Sequence, residues 1–466
     1  MNFLKTFLPV VLAVGLSSTF TFAGEQETSR SGDEINERDF DALRDFLKAK
    51  RGDALKEAEE AGTNVAISGD VRTEWRHMTE TANGKRQRGP GARDIKNEIQ
   101  VIGGAYVENR TIGLPISRND FDVEFNLYLD YETKRSWAAV QVQFDNSMGV
   151  DDNGIRCLLD PQGYHGSGYC DGLCLKNAYW GYQVWDNQCN EFYVEVGRRS
   201  NLYKVFDSKI QFLSRFDGIL LHYAYKWPEM FDWYLKGAAF VIDERTNSFG
   251  YVAETGFLNI AESNVDLKYS FIYWKQGGKN RCREKDPQGF DFMNSQLTFA
   301  YHFDPEILGK KATAYAAVLY NHADRDAYNP VVYLVDDPES EDQISIFEYK
   351  KFDKNQRLGW YVGFIIGKPE KEGDWSFEMM YQVIQAFAMP DNDMAGIGRG
   401  NVQHESLTSL KSRGNTNFRG WKFEGLYALT NELVIDSIIE FSIADNRKIG
   451  KEHSYSKCEL EVVYSF

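Results

Sequence analysis

Residues 121–131 read FDVEFNLYLDY, and this alternation governs how the rest of the chain is read. Phe121, Val123, Phe125, Leu127, Leu129 and Tyr131 fall on one parity, and Asp122, Glu124, Asn126, Tyr128 and Asp130 on the other. Successive side chains of a strand point to opposite faces, so the stretch presents one apolar surface and one charged surface. A helix would scatter both sets around its circumference. Soluble β-sandwiches also alternate, but they rarely set so many charges against so many aromatics. The pattern suits a wall with lipid on one side and water on the other.

The same period of two recurs on both sides of this stretch. Val65, Ile67, Val71 and Trp75 oppose Asp70, Arg72, Glu74 and Arg76. Val265, Leu267, Tyr269, Phe271 and Tyr273 oppose Asp266, Lys268 and Ser270, and Leu433, Ile435, Ile439 and Phe441 oppose Asp436 and Glu440. About sixteen such segments are expected, near 64–77, 120–132, 137–145, 175–185, 191–199, 217–227, 231–242, 251–261, 265–275, 294–303, 311–321, 357–367, 374–385, 417–429, 433–443 and 457–466. The alternation is poorest in 251–261.

The connections sort by length. Residues 78–119, 146–174, 200–216, 276–293, 322–356, 386–416 and 444–456 are long, with 243–250 shorter. Between them lie tight links at 133–136, 186–190, 228–230, 262–264, 304–310, 368–373 and 430–432. Short turns at one end and long loops at the other, with an even strand number, are the topology of a transmembrane β-barrel. The expected fold is therefore all-β, a transmembrane antiparallel barrel of residues 63–466.

The first residues read differently. Lys5, the apolar run from Phe7 to Leu16 and the small-residue ending Thr21-Phe22-Ala23 predict a secretory signal at 1–23, with cleavage after Ala23. Beyond it no window of 18 apolar residues is free of charge, which excludes helical membrane spans. Residues 24–62 are polar, with Phe40, Leu43, Phe46 and Leu47 at helical spacing and Gly52 interrupting the pattern. They are expected to form a partly helical periplasmic segment; a plug in the pore and a short oligomerising coil are the alternatives. A net charge of −16 excludes nucleic acid as a partner, because its phosphates need a basic surface. Aromatic residues make up 14% of the chain, with 26 Tyr and 10 Trp, a bias suited to membrane interfaces.

The final segment, KCELEVVYSF at 457–466, puts Cys458, Leu460, Val462, Tyr464 and Phe466 on one face. It resembles the C-terminal strand of Gram-negative outer-membrane barrels, where such a strand is similar to the signal read by the barrel-assembly machinery. The resemblance implies a cell outer-membrane location, contact with outer-membrane lipid and lipopolysaccharide, and passage of small hydrophilic solutes. Trimers are common in such barrels, so a homotrimer is an expectation, although no interface is visible in the sequence. Residues 193–217, YVEVGRRSNLYKVFDSKIQFLSRFD, resemble the strand-to-inner-loop passage of phosphate-selective and related sixteen-stranded porins. Arg198-Arg199 replaces the Pro-Phe pair often found there, which removes the basis for assigning anion selectivity. The overall layout is also similar to porin-like proteins of chlamydia-related bacteria.

Selectivity in a pore comes from charged side chains at its narrowest point. Arg198, Arg199, Lys204, Asp207, Lys209 and Arg215 are the candidates, if the connection that holds them folds inward; as an ordinary outer loop it would simply solvate them. Asp70, Arg72, Glu74 and Arg76 are expected on the pore wall, more as salt-bridged ladders than as a selectivity device. Enzymatic motifs fail. Residues 404–408 begin like a zinc helix, but Thr408 stands where a second His is needed. Ser167 beside His165 lacks the G-x-S-x-G elbow. No catalytic residue, metal or cofactor is expected. Cys157, Cys170 and Cys174 lack C-x-x-C spacing and are read as disulfide bracing of an outer loop. The acidic run 336–342 is read as a solvated loop crest, with Ca²⁺ or lipopolysaccharide binding as the alternative. A surface structural protein or adhesin with a weakly conducting barrel, and a barrel hydrolase, are the competing functions.

Overall fold

A computed structural model describes residues 41–82, 84–86, 95–102, 105–112, 118–145, 173–187, 189–199, 205–211, 216–228, 230–243, 248–276, 293–323, 328–336, 343–351, 356–386, 388–389, 396–397, 416–447 and 452–466. The expected signal segment, Lys204, Arg215, Cys157, Cys170 and the motifs at 165–168 and 404–408 lie outside the described residues.

Sixteen long strands form the wall: β1 (Val65–Ala82), β2 (Asn119–Glu132), β3 (Ser136–Asp145), β4 (Leu173–Asp186), β5 (Asn190–Arg199), β6 (Phe216–Trp227), β7 (Phe231–Asp243) and β8 (Ser248–Leu258). They continue with β9 (Val265–Gln276), β10 (Met293–His302), β11 (Ala312–Asn321), β12 (Leu358–Gly367), β13 (Trp375–Ile384), β14 (Phe418–Ala428), β15 (Leu433–Ala444) and β16 (His453–Ser465). Each pairs antiparallel with its neighbours. β1 pairs with β2 on one side and, from Asp70–Ser465 to Ala82–His453, with β16 on the other, so the sheet closes. Closure leaves no edge of unpaired backbone groups, which is what lets strands cross lipid. Among the described residues no helix is long and apolar enough to cross a membrane.

The end of the chain completes this seam. Phe466 and Gly69 exchange backbone hydrogen bonds, both at 2.9 Å. The Phe466 ring lies over Gly69, where an added Cβ would come within 2.5 Å of it, and stacks near Phe125 at 6.5 Å. Only glycine admits the terminal aromatic there.

Parity sorts the two faces as the alternation requires. Val65, Ile67, Val71, Trp75, Leu460, Tyr464 and Phe466 stand exposed on the outside, while Ser68, Asp70, Arg72, Arg76, Asn126 and Asp130 are buried inside. Near the short turns the outer aromatics touch across strands, as with Trp185–Phe192 (4.6 Å), Trp227–Phe231 (5.8 Å) and Phe231–Phe257 (5.2 Å). An amphipathic ring at that level sits where the bilayer turns polar.

Three features differ from the sequence reading. β8 is Ser248–Leu258 rather than 251–261, because the chain leaves the sheet at Asn259; this residue, Ala261, Glu262 and Asn264 all have positive φ, between 49° and 59°. Apolar Ile260 and Ala261 imitate a strand continuing through that turn. Secondly, two of the long connections hold hairpins of their own, Ile95–Ile102 with Ala105–Ile112 and Tyr328–Asp336 with Gln343–Lys351. Thirdly, the helix α1 (Asp41–Glu60) runs unbroken through Gly52. It stops at a glycine cap: Gly62 has φ 76°, its N–H donates to Glu59 and that of Thr63 to Ala58. The chain then turns directly into β1.

Candidate pore interior

The strands present the lumen with two kinds of lining. Around β1 to β4 many of the inward side chains are charged-type or amide groups that hold one another. Arg72 Nε donates to Asp70 at 2.5 Å, with Glu124 at 3.9 Å and Glu461 at 3.7 Å. Arg76 bridges Glu74 at 2.8 Å and Asp122 at 2.9 Å. Tyr128 and Asn126 donate to Asp70 at 2.9 and 3.0 Å, Gln141 to Asn126 at 3.0 Å, and Asn177 to Gln141 at 2.5 Å. Asp70 and Arg72 thus belong to a hydrogen-bonded row that continues into β4, and Glu74 and Arg76 to a second group with Asp122. Buried charges persist when each is paired, since desolvating one alone costs several kcal/mol.

Residues 205–211, after β5, lie inside the barrel. Val205, Phe206 and Ile210 are fully buried in one cluster with Leu220, Phe240, Val252, Ile272, Trp274, Leu319, Tyr361 and Ile384 of the wall. The polar atoms of the segment are tied to the middles of several strands. The Asp207 N–H donates to Glu254 at 2.7 Å, and Gln296 donates to the Asp207 carbonyl at 2.6 Å. Lys268 pairs with the Asp207 carboxylate. Lys209 Nζ meets Glu378 at 2.5 Å and lies 4.5 Å from the centre of the Tyr315 ring, whose hydroxyl also donates to Glu378. The segment therefore spans the lumen face of β8 to β13.

Of the six charged residues singled out in this region, the four that are described do not share one place. Asp207 and Lys209 reach into the lumen. Arg199 is buried on the inner wall, paired with Glu195, its guanidinium 4.8 Å from the Tyr179 ring centre. Arg198 has the opposite parity and stands exposed beside Asp217, which accepts from it at 2.9 and 3.0 Å. One residue's shift along a strand changes the face, so an adjacent pair of arginines cannot both line a pore. Cys174 is an exposed free thiol near the start of β4, and Cys458 is exposed on the outer face.

Sequence reasoning passes over the partners that seat the segment: Glu254, Lys268, Tyr315, Tyr361 and Glu378. Their parity marks them as inward, but nothing local says which would meet residues 205–211. It also passes over Arg51 and its pairing with Asp130. In α1, Leu43, Phe46 and Leu47 cluster with the inward-facing Leu426, Ala428, Val434 and Val463 of β14, β15 and β16. On the same helix face, buried Arg51 donates to both carboxylate oxygens of Asp130 at 2.6 and 3.1 Å and lies over the Tyr128 ring at 4.4 Å. The helix is thus docked on the inner wall at the short-turn end.

No protein-family model matches this sequence, and no curated protein matches it. Among solved structures, OprB of Pseudomonas putida aligns over 88% of this chain and 96% of its own, at 9% identity and a TM-score of 0.48. A triple mutant of the Rhodopseudomonas blastica porin aligns over 86% of this chain and 100% of its own, at 9% identity and a TM-score of 0.39. Another variant of that porin gives 10% identity over the same shares and a TM-score of 0.41.

Proposed function

We propose that the chain is a porin of the cell outer membrane, through which small hydrophilic solutes diffuse passively. The observation that carries this reading is the inside of the barrel at mid-height. Asp207, Lys209, Glu254, Lys268 and Glu378 are gathered there in ion pairs and hydrogen bonds, on a wall whose outer face is apolar. A barrel of this strand number is too wide for wall side chains alone to fill, so it encloses water unless a segment closes it. Residues 205–211 form the constriction in this reading. Asp207 and Lys209 set its charge, Arg199 contributes from the wall, and the ladder of Asp70, Arg72, Glu74 and Arg76 keeps the opposite side rigid.

Lipid and lipopolysaccharide surround the apolar outer band. The assembly machinery reads β16 with its outward Leu460, Val462, Tyr464 and Phe466. The reading is tested by single-channel recording of refolded residues 24–466 in a planar bilayer. Discrete ohmic steps are expected, with a reversal potential in a salt gradient that reports charge preference. A folded, inserted protein that gives no steps would overturn the reading in favour of a plugged barrel or a surface protein.

A further inference from the structure

We infer that α1 forms a second constriction, at the short-turn mouth, and that the Arg51–Asp130 pair is its latch. The inference rests on the porin reading and adds to it an element that lies outside the barrel wall.

The helix meets the wall with one face only. Leu43, Phe46, Leu47 and Arg51 follow one another at the spacings of a single helical stripe. The apolar part of the stripe rests on β14 to β16, and Arg51 reaches Asp130 on β2. The 20-residue helix, about 30 Å long at 1.5 Å per residue, therefore runs across the inner wall from β14 past β1 to β2. A sixteen-stranded barrel with strands about 4.8 Å apart and tilted by about 40° is roughly 30 Å across. A helix about 10 Å thick fills close to a third of that width. Its far face carries exposed charge at the short-turn mouth, with the Lys56 and Asp53 side chains 75% and 58% exposed and 3.7 Å apart.

The two inserted elements sit on different arcs of the barrel. Residues 205–211 cover the face from β8 to β13, and α1 covers the face from β14 to β2. A solute passing both must cross from one side of the lumen to the other. Two obstructions in series add resistances, so releasing either one removes only its own share.

The latch is suited to holding a removable element. An arginine and a carboxylate in bidentate contact fix orientation as well as distance. Removing one partner leaves the other buried without its counter-charge, which favours undocking over toleration. The apolar stripe alone is short.

The test is single-channel conductance of the full mature chain and four variants, with barrel folding followed by heat-modifiable gel mobility. Arg51→Ala and Leu47→Asp undock the helix and are expected to raise conductance by up to roughly 1.5-fold, from the share of the lumen it fills. The exchange Arg51→Asp with Asp130→Arg is expected to return conductance to the unsubstituted value. Lys56→Glu, on the exposed face and away from the docked stripe, is expected to move the reversal potential toward cation preference. Unchanged conductance in both undocking variants together with an unchanged reversal potential in Lys56→Glu would overturn it. Silence in the native chain and every variant would sink the porin reading itself.

Discussion

From β6 to β13 the inner wall holds an apolar patch of Leu220, Phe240, Val252, Ile272, Trp274 and Leu319 above its charged groups, whereas from β1 to β4 it carries Asp70, Arg72, Arg76, Asn126, Gln141 and Asn177. The two arcs solve the same problem differently. An apolar inner wall facing water must be covered, and residues 205–211 supply Val205, Phe206 and Ile210 as the cover. A charged inner wall depends less on a cover, because Asp70, Arg72, Asn126, Gln141 and Asn177 find partners on the same strand or the next one, while Asp130 takes Arg51 from α1. The first arc is thus completed by a segment inserted from a connection, and the second largely by groups that are parts of the wall.

The contrast fails if the charged arc tolerates loss. Arg72→Leu leaves Asp70, Glu124 and Glu461 without their shared cation and should cost about 3–5 kcal/mol of barrel stability. Urea unfolding of the refolded protein measures it, and a loss below about 1 kcal/mol would mean that water screens the ladder. Phe206→Asp should behave in the opposite way. Its burial is worth about 3–5 kcal/mol to the seat of the segment, yet the barrel should keep its unfolding midpoint while conductance rises, because the segment departs instead. Equal destabilisation by both substitutions would erase the distinction between the arcs.

A smaller effect isolates the role of the segment's charges. Lys209→Met removes the cation beside Glu378 and should favour cations by roughly a factor of two, the scale of one charge about 8 Å away in water. The reversal potential in a KCl gradient reads this, and no shift would place the ion path elsewhere. The smallest effect lies outside the membrane, where Lys310 Nζ donates to Asp374 at 2.7 Å and ties two short turns together. That hydrogen bond, with backbone donors from Glu370 and Lys371, holds the Asp374 carboxyl below its ordinary value. A carboxyl with a depressed folded pKa adds stability above its unfolded pKa and loses it as pH falls through the folded one. Asp374→Asn should therefore cost under about 1 kcal/mol near neutral pH and nothing at strongly acid pH, as unfolding at the two pH values would show.

How far the fold can be read from the chain depends on what is local. The inward places of Asp70, Arg72, Glu74 and Arg76, and the outward ones of Val65 and Trp75, follow from parity along one strand. β8 ends before its expected limit because Ile260 and Ala261 continue an apolar pattern through a turn that the left-handed Asn259 begins. Arg198 and Arg199 look like one group by adjacency, although adjacency is what separates them in a strand. The hairpin strands Ile95–Ile102 and Tyr328–Asp336 fall within segments that read as loops, because length alone defines a connection there. The docking of α1 is legible only as an apolar stripe at helical spacing.

Alternation relates residues one or two apart, and with the lengths of the connections it is enough to specify the barrel wall and which side chains face lipid. What occupies the lumen is settled at longer range. Arg51 meets Asp130 across 79 positions and Lys209 meets Glu378 across 169, encounters that exist once β1 has closed against β16 and the inner faces look at one another. Parity says that a group points inward, and closure alone supplies what stands opposite.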